Sequence, residues 1–344
     1  MSNINWSRKG FIKALGLGSM AGIVNAGSDY VATSSKSQLI KPTRLKQGDT
    51  IGLISPGSIL PEENQYDEIV KTISQLGFEV KVGANARRRY GNLAGTDDLR
   101  AADINQMFSD ASIDAIIPFR GGWGSNRILD LIDFENIKEN PKPLIGFSDI
   151  TSLLLAIYAK TGLVTFHGPV GKSEWNDFTT THFRQVLMSE RIPVLKNAAN
   201  TDQKVKTITP GSATGPLLGG NLTVLTSMLG SDYLPDWEGA ILFLEDIGED
   251  VYRIDRMLTQ LKLNGILNKI SGFIFGRCTD CEPGNKFSLS LEQVLKDHIQ
   301  VLGVPSYYGS MIGHIDNMFT LPIGISAEMN AESGSIKILE IPTK

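Results

Sequence analysis

Pro143-Leu144-Ile145-Gly146-Phe147-Ser148-Asp149-Ile150-Thr151-Ser152 contains an abrupt change of period. Leu144 to Phe147 is a short apolar run suited to a buried strand, whereas Asp149 to Lys160 spaces its apolar residues as a helix does. The switch falls on Ser148, so the spacing predicts a strand, a one-residue corner and a helix start. Such a corner pushes the hydroxyl out of the sheet toward the helix N-terminus, where unpaired N–H groups and the helix dipole stabilise negative charge. A serine nucleophile in acyl transfer needs those surroundings. A serine that only caps the helix suits the same position, and the fuller Gly-x-Ser-x-Gly elbow is absent because residue 150 is Ile.

Working outward, Thr50 to Gly57 reads as a strand ending in turn residues, followed by a helical pattern from Glu62 to Leu76 and a strand from Phe78 to Val82. A helix around Asp97 to Phe108, a strand over Ala115 to Phe119 and a helix from Ser125 to Ile132 come next. This alternation predicts an N-terminal α/β domain over residues 45–190, a parallel sheet with flavodoxin-like layering. Ligands of such sheets bind at the carboxyl ends of the strands, where Ser55, Arg120 to Gly124 and Ser148 fall. Residues 191–215 lose the rhythm, with Pro193, a polar stretch and Pro210-Gly211, and read as a crossover. Residues 216–344 read as a mixed α+β domain with a strand from Gly239 to Glu245, a helix from Arg253 to Asn264, a strand from Ile270 to Phe275 and short β-like runs at the end.

At 344 residues, 41% hydrophobic and 20% charged, the chain can bury the cores of two domains. A formal charge of −4 leaves no basic surplus for phosphates, so nucleic acid is not an expected partner. No internal run has the apolar length of a membrane span. Residues 1–26 differ from the rest. A basic start with Arg8-Lys9, a mild apolar run from Ala14 to Val24 and a small-residue exit at Ala26 predict an export signal, with 27–44 as a tether and a periplasmic destination. Lys9 departs from a twin-arginine pair, and the alternative is an amphipathic helix of a cytoplasmic protein. Cys278 and Cys281 lack the further ligands of a zinc site and follow a strand into a loop, which favours an incidental pair or a loop-stapling disulfide.

Ser148, Glu245 and His314 are the candidates for chemistry. Glu245 ends an apolar strand and His314 lies in the glycine-containing loop Ile312 to Asn317. Taken singly, each has a bland reading as a cap, a solvated loop acid or a surface histidine. Together they fit a nucleophile, a base that takes and returns its proton and a carboxylate that orients the imidazole. Glu249 and Asp246 are alternative orienters. The nucleophile would come from the first domain and its partners from the second, with the site in the interdomain cleft.

Arg120-Gly121-Gly122-Trp123-Gly124, Gly146-Phe147-Ser148-Asp149, Phe166-His167-Gly168-Pro169, Leu244-Glu245-Asp246-Ile247-Gly248-Glu249 and Gly313-His314 occur in order over roughly residues 45–340. This set resembles the serine LD-carboxypeptidase family, which includes muramoyltetrapeptide carboxypeptidases and microcin-immunity peptidases. The resemblance implies a homodimeric serine peptidase, without metal or cofactor, that releases the terminal D-alanine of a murein stem peptide during peptidoglycan recycling. It implies Ser148 as nucleophile, His314 as base and Glu245 as orienting carboxylate. The N–H of Asp149, with one from Gly121 or Gly122, is the expected oxyanion hole. Arg120, Trp123, His167 and Glu249 are the expected substrate contacts, Trp123 standing where the family usually has tyrosine. His182 and His298 read as surface residues. The alternatives are a relative that cleaves a peptidyl-nucleotide or another acyl amide, and an exported two-lobed binding protein without chemistry.

Overall fold

The computed structural model describes residues 39–198 and 204–344. The predicted export signal and residues 27–38 of the predicted tether lie outside the described residues. Residues 40–44 are packed rather than loose: Ile40 bridges Leu163, and Arg44 N–H donates to the Lys344 carbonyl at 3.0 Å.

The first half contains β1 (Thr50–Ile54), α1 (Asn64–Gln75), β2 (Glu79–Val82), α2 (Asp97–Ser109) and β3 (Ala115–Pro118). A 3₁₀ segment (Ser125–Leu131), where the sequence predicts an α-helix, leads to α3 (Phe134–Glu139) and β4 (Ile145–Gly146). A 3₁₀ turn (Ser148–Ile150) then enters α4 (Thr151–Thr161), followed by β5 (Thr165–His167) and α5 (Asp177–Leu187). Strand β1 lies between β2 and β3, all parallel, and β4 pairs in parallel with β5. A parallel bridge between Ile116 and Leu144 links the two groups. β3 is apolar and buried along its length, as a parallel strand covered on both faces should be, while edge strand β2 alternates.

The second half contains β6 (Val194–Leu195), β7 (Lys206–Thr209), β8 (Ser212–Asn221), α6 (Leu222–Ser227), β9 (Ile241–Ile247), α7 (Val251–Leu263) and β10 (Gly272–Thr279). It continues with α8 (Leu291–Ile299), β11 (Ser306–Tyr308), β12 (Leu321–Ile323), β13 (Ser326–Asn330) and β14 (Ser335–Ile338). Eight strands form one mixed sheet in the order β6-β14-β13-β8-β9-β10-β11-β7, with a parallel centre from β8 to β11. The stretch 191–215, read as a crossover, therefore holds β6, β7 and the start of β8. The first two are short edge strands whose partners, β14 and β11, lie far along the chain.

Two of the contacts between the halves position the site. Strand β12, from the second half, pairs antiparallel with β5 of the first sheet. Helix α4 is buried from Thr151 to Ile157, and the Thr151 hydroxyl accepts the Asn221 N–H at 3.0 Å where β8 ends. A helix apolar on nearly every side belongs in an interior, which is where α4 runs.

Candidate active site

Ser148 has φ +62°, a left-handed value rare outside glycine. A residue held there is typically fixed by its surroundings. Gly121 supplies part of that surrounding: a Cβ on it would stand 3.1 Å from Ser148 Cβ and 3.2 Å from the Asp149 nitrogen. The Ser148 hydroxyl does not cap the helix. It lies 3.0 Å from His314 Nε2.

His314 Nδ1 lies 2.8 Å from Glu245 Oε2. Glu245 is wholly buried, and a carboxylate oxygen at this distance accepts an Nδ1–H, the arrangement that turns Nε2 toward the serine hydroxyl. Gly313 makes this approach possible, with φ +123° and a Cβ position only 2.9 Å from Glu245 Oε2. The Thr279 hydroxyl donates to the His314 carbonyl at 2.8 Å, and the neighbouring Cys278 and Cys281 are joined as a disulfide. The chain of contacts thus runs from the end of β4 through the loop after β11 to the end of β9.

Alternation along β9 separates the two adjacent acids. Asp246 turns away from His314 and accepts from Asn221 Nδ2 (3.1 Å) and from the Thr223 N–H (3.0 Å) and hydroxyl (2.8 Å) at the start of α6. Burial, then the charge of Glu245, pushes its carboxyl up to about 6.

Asp149 contributes more than the N–H named from the sequence. Its buried carboxylate accepts from the Gly124 N–H (3.2 Å), the Ser125 N–H (2.8 Å) and the Ser125 hydroxyl (2.6 Å). Burial pushes this carboxyl up, against those hydrogen bonds. Arg100, wholly buried, ties the same turn to the loop after β1 by donating to the carbonyls of Gly124 (2.9 Å) and Pro56 and pairing with Asp97. The sequence carried a signal for Arg100, since it sits on α2 among the buried positions Ala101, Ile104 and Phe108. A buried arginine is rare unless its donors are used.

A cavity of about 230 Å³ lies over the serine, lined by Arg120, Gly121, Gly122, Phe147, Ser148, Lys172 and His314 among others. The Gly121 and Gly122 N–H groups have no acceptor among the described residues, and Arg120 makes one hydrogen bond, to the Ile59 carbonyl at 3.3 Å. Trp123 is half-exposed in an adjoining cavity. Two of the expected substrate contacts are elsewhere. His167 is wholly buried beneath the site with its ring against Phe147 and Phe243, and burial holds it down at about 4, so it is a neutral core residue. Glu249 is outside the cavity lining and faces Thr223 and Arg253. The surface reading of two other histidines also changes: His182 is half-buried beside Phe178 and Phe319, and His298 Nε2 pairs with Asp255 at 2.6 Å. His182 is held among aromatic rings, whereas His298 is held by a carboxylate on the neighbouring helix α7.

Residues 51–168 match the N-terminal domain of LD-carboxypeptidases, and residues 214–329 match the C-terminal domain. The chain is 40% identical over 296 residues to a probable murein peptide carboxypeptidase of Bacillus subtilis, covering 84% of this chain and 91% of that protein. Its fold superposes on the wild-type apo structure of the microcin C7 self-immunity protein MccF with a TM-score of 0.82 and 28% identity, over 89% of this chain and 100% of that one. For the muramoyltetrapeptide carboxypeptidase of Oxalobacter formigenes the TM-score is 0.73 at 28% identity, over 84% and 97%. On two matched domains that span both halves of the site, the chain belongs to the LD-carboxypeptidase family, peptidase S66, and is an enzyme of the serine carboxypeptidase class.

Proposed function

We propose that the protein releases the terminal D-alanine from murein tetrapeptides through an acyl-enzyme formed on Ser148. The observation that carries this reading is the hydrogen-bonded line Ser148 Oγ, His314 Nε2, His314 Nδ1 and Glu245 Oε2, beside N–H groups that have no acceptor among the described residues. The murein substrate is inferred from relatives named murein peptide and murein tetrapeptide carboxypeptidase. The order of features in residues 1–26 supports a place in the cell envelope.

In this mechanism Ser148 Oγ attacks the scissile carbonyl while His314 Nε2 takes its proton. The carbonyl oxygen gains charge and is held by the N–H groups of Asp149 and the Gly121-Gly122 turn, each such donor being worth roughly 10²-fold or more in rate. His314 then gives the proton to the departing amine, and the C–N bond breaks to leave an ester on Ser148. Water, deprotonated by His314, attacks the ester, and the proton returns to Ser148 Oγ as the shortened peptide leaves. Glu245 keeps the imidazole in the right tautomer and stabilises its charged form without itself taking the proton.

The test is Ser148→Ala assayed by mass spectrometry of a defined tetrapeptide murein. D-alanine release should fall by at least about 10³-fold with the circular dichroism spectrum unchanged. Turnover within tenfold of wild type would remove Ser148 as the nucleophile.

A further inference from the structure

The cavity over Ser148 does not end at Arg120. Arg120 and Gly122 also line a second cavity of about 360 Å³, whose other walls include Arg89, Asn92 and Trp123. No residue lining either cavity is acidic, although the whole chain has a formal charge of −4. Arg89, Arg120 and Lys172 face this joined depression, and among the described residues none of the three is in an ion pair. Elsewhere arginines do find carboxylates, as Arg44, Arg87, Arg100, Arg127 and Arg253 show.

A single exposed cation without a partner is ordinary. Three around one depression without a counter-charge make a positive field that favours an anionic ligand. A carboxypeptidase substrate brings one carboxylate on its leaving residue, and Arg120 and Lys172 lie in the serine's own cavity to meet it. That account leaves Arg89 and the larger cavity unused, and a single small leaving residue does not fill both spaces.

Resting on the carboxypeptidase reading, we infer that the second cavity is the subsite for the acyl portion of the substrate and that Arg89 takes a side-chain carboxylate carried there. The half-exposed Trp123 ring supplies the apolar wall along which that portion lies. Arg89 is then a specificity residue that selects stem peptides with a free acidic side chain over their amidated forms. A guanidinium suits this task because it can hold a carboxylate by two parallel hydrogen bonds.

The experiment uses two tetrapeptides ending in D-alanine, identical except that the side-chain carboxylate of the acyl-donating residue is free in one and amidated in the other. Wild type should favour the free acid by about tenfold in kcat/KM, the size of one charge-assisted contact in a partly solvated site. Arg89→Gln should reduce that preference below about threefold. Equal use of both peptides by wild type, or an undiminished preference in Arg89→Gln, overturns the subsite. The two peptides are also titrated calorimetrically into Ser148→Ala, with and without Arg89→Gln. If wild type releases D-alanine from neither peptide, the carboxypeptidase reading fails, and the acid-to-amide ratio of dissociation constants decides the subsite by itself.

Discussion

The buried carboxylate of Asp149 holds Ser125 by both its N–H (2.8 Å) and its hydroxyl (2.6 Å), tying the nucleophile's corner to the glycine-rich turn across from it. The turn that would supply oxyanion donors is thus positioned by the residue immediately after the serine. In Asp149→Asn, the side-chain NH2 would have to face either the Gly124 N–H or the Ser125 N–H, donor against donor, since both carboxylate oxygens accept in wild type. We expect kcat to fall by about 10²-fold with KM changed far less, and stability to fall by about 1–3 kcal/mol, the cost of an unsatisfied buried pair. Steady-state kinetics and thermal unfolding check this; an unchanged kcat would show that the turn holds its place without Asp149.

Gly121 provides a test on the same corner without altering charge. An added Cβ would crowd Ser148 Cβ at 3.1 Å, the Asp149 nitrogen at 3.2 Å and the Phe147 carbonyl at 3.3 Å. Two of these neighbours are backbone and the third is fixed at a left-handed φ, so little can yield. Gly121→Ala should lower kcat by about 10²-fold, the loss typical of one misplaced donor, while the far-ultraviolet spectrum stays the same. Near wild-type turnover would place the donors elsewhere.

Two buried groups give stability opposite slopes with pH. Asp246 is raised from 3.8 to about 6, so its contribution is full below pH 3.8 and is lost as pH rises through 6. His167 is lowered from 6.5 to about 4, so its contribution is full above pH 6.5 and is lost as pH falls through 4. Each shift corresponds to about 3 kcal/mol at most. They largely cancel in wild type between pH 4 and 6. His167→Leu should leave stability that falls as pH rises over this interval, and Asp246→Asn should leave stability that rises. Thermal unfolding of the three proteins at pH 4, 5 and 6 reads the slopes directly; parallel curves would show that neither group titrates there. Because His167 is neutral, buried and outside the cavity, His167→Leu should keep kcat/KM within about threefold.

Local pattern determined much of this. The change of period at Ser148 was legible because strand and helix spacing are properties of neighbouring residues, and β1, β3, β9 and β10 were legible because buried parallel strands read as apolar runs. Glycines on either side of the candidate site were visible for the same reason. Strands β6 and β7 were not, since two to four residues carry little pattern and their partners are supplied by β14 and β11.

Only the tertiary structure decided which of two adjacent acids meets His314. Glu245 and Asp246 point to opposite faces of β9, and nothing local distinguishes the face toward the loop after β11 from the face toward α6. It likewise placed His167 in the core rather than on the cavity wall, and turned Asp149 and Arg100 into the ties behind the glycine turn. The physical reason is the same in each case. Sequence sets the period and chemistry of an element, whereas the partner of a buried charge comes from segments brought together by packing of the whole chain.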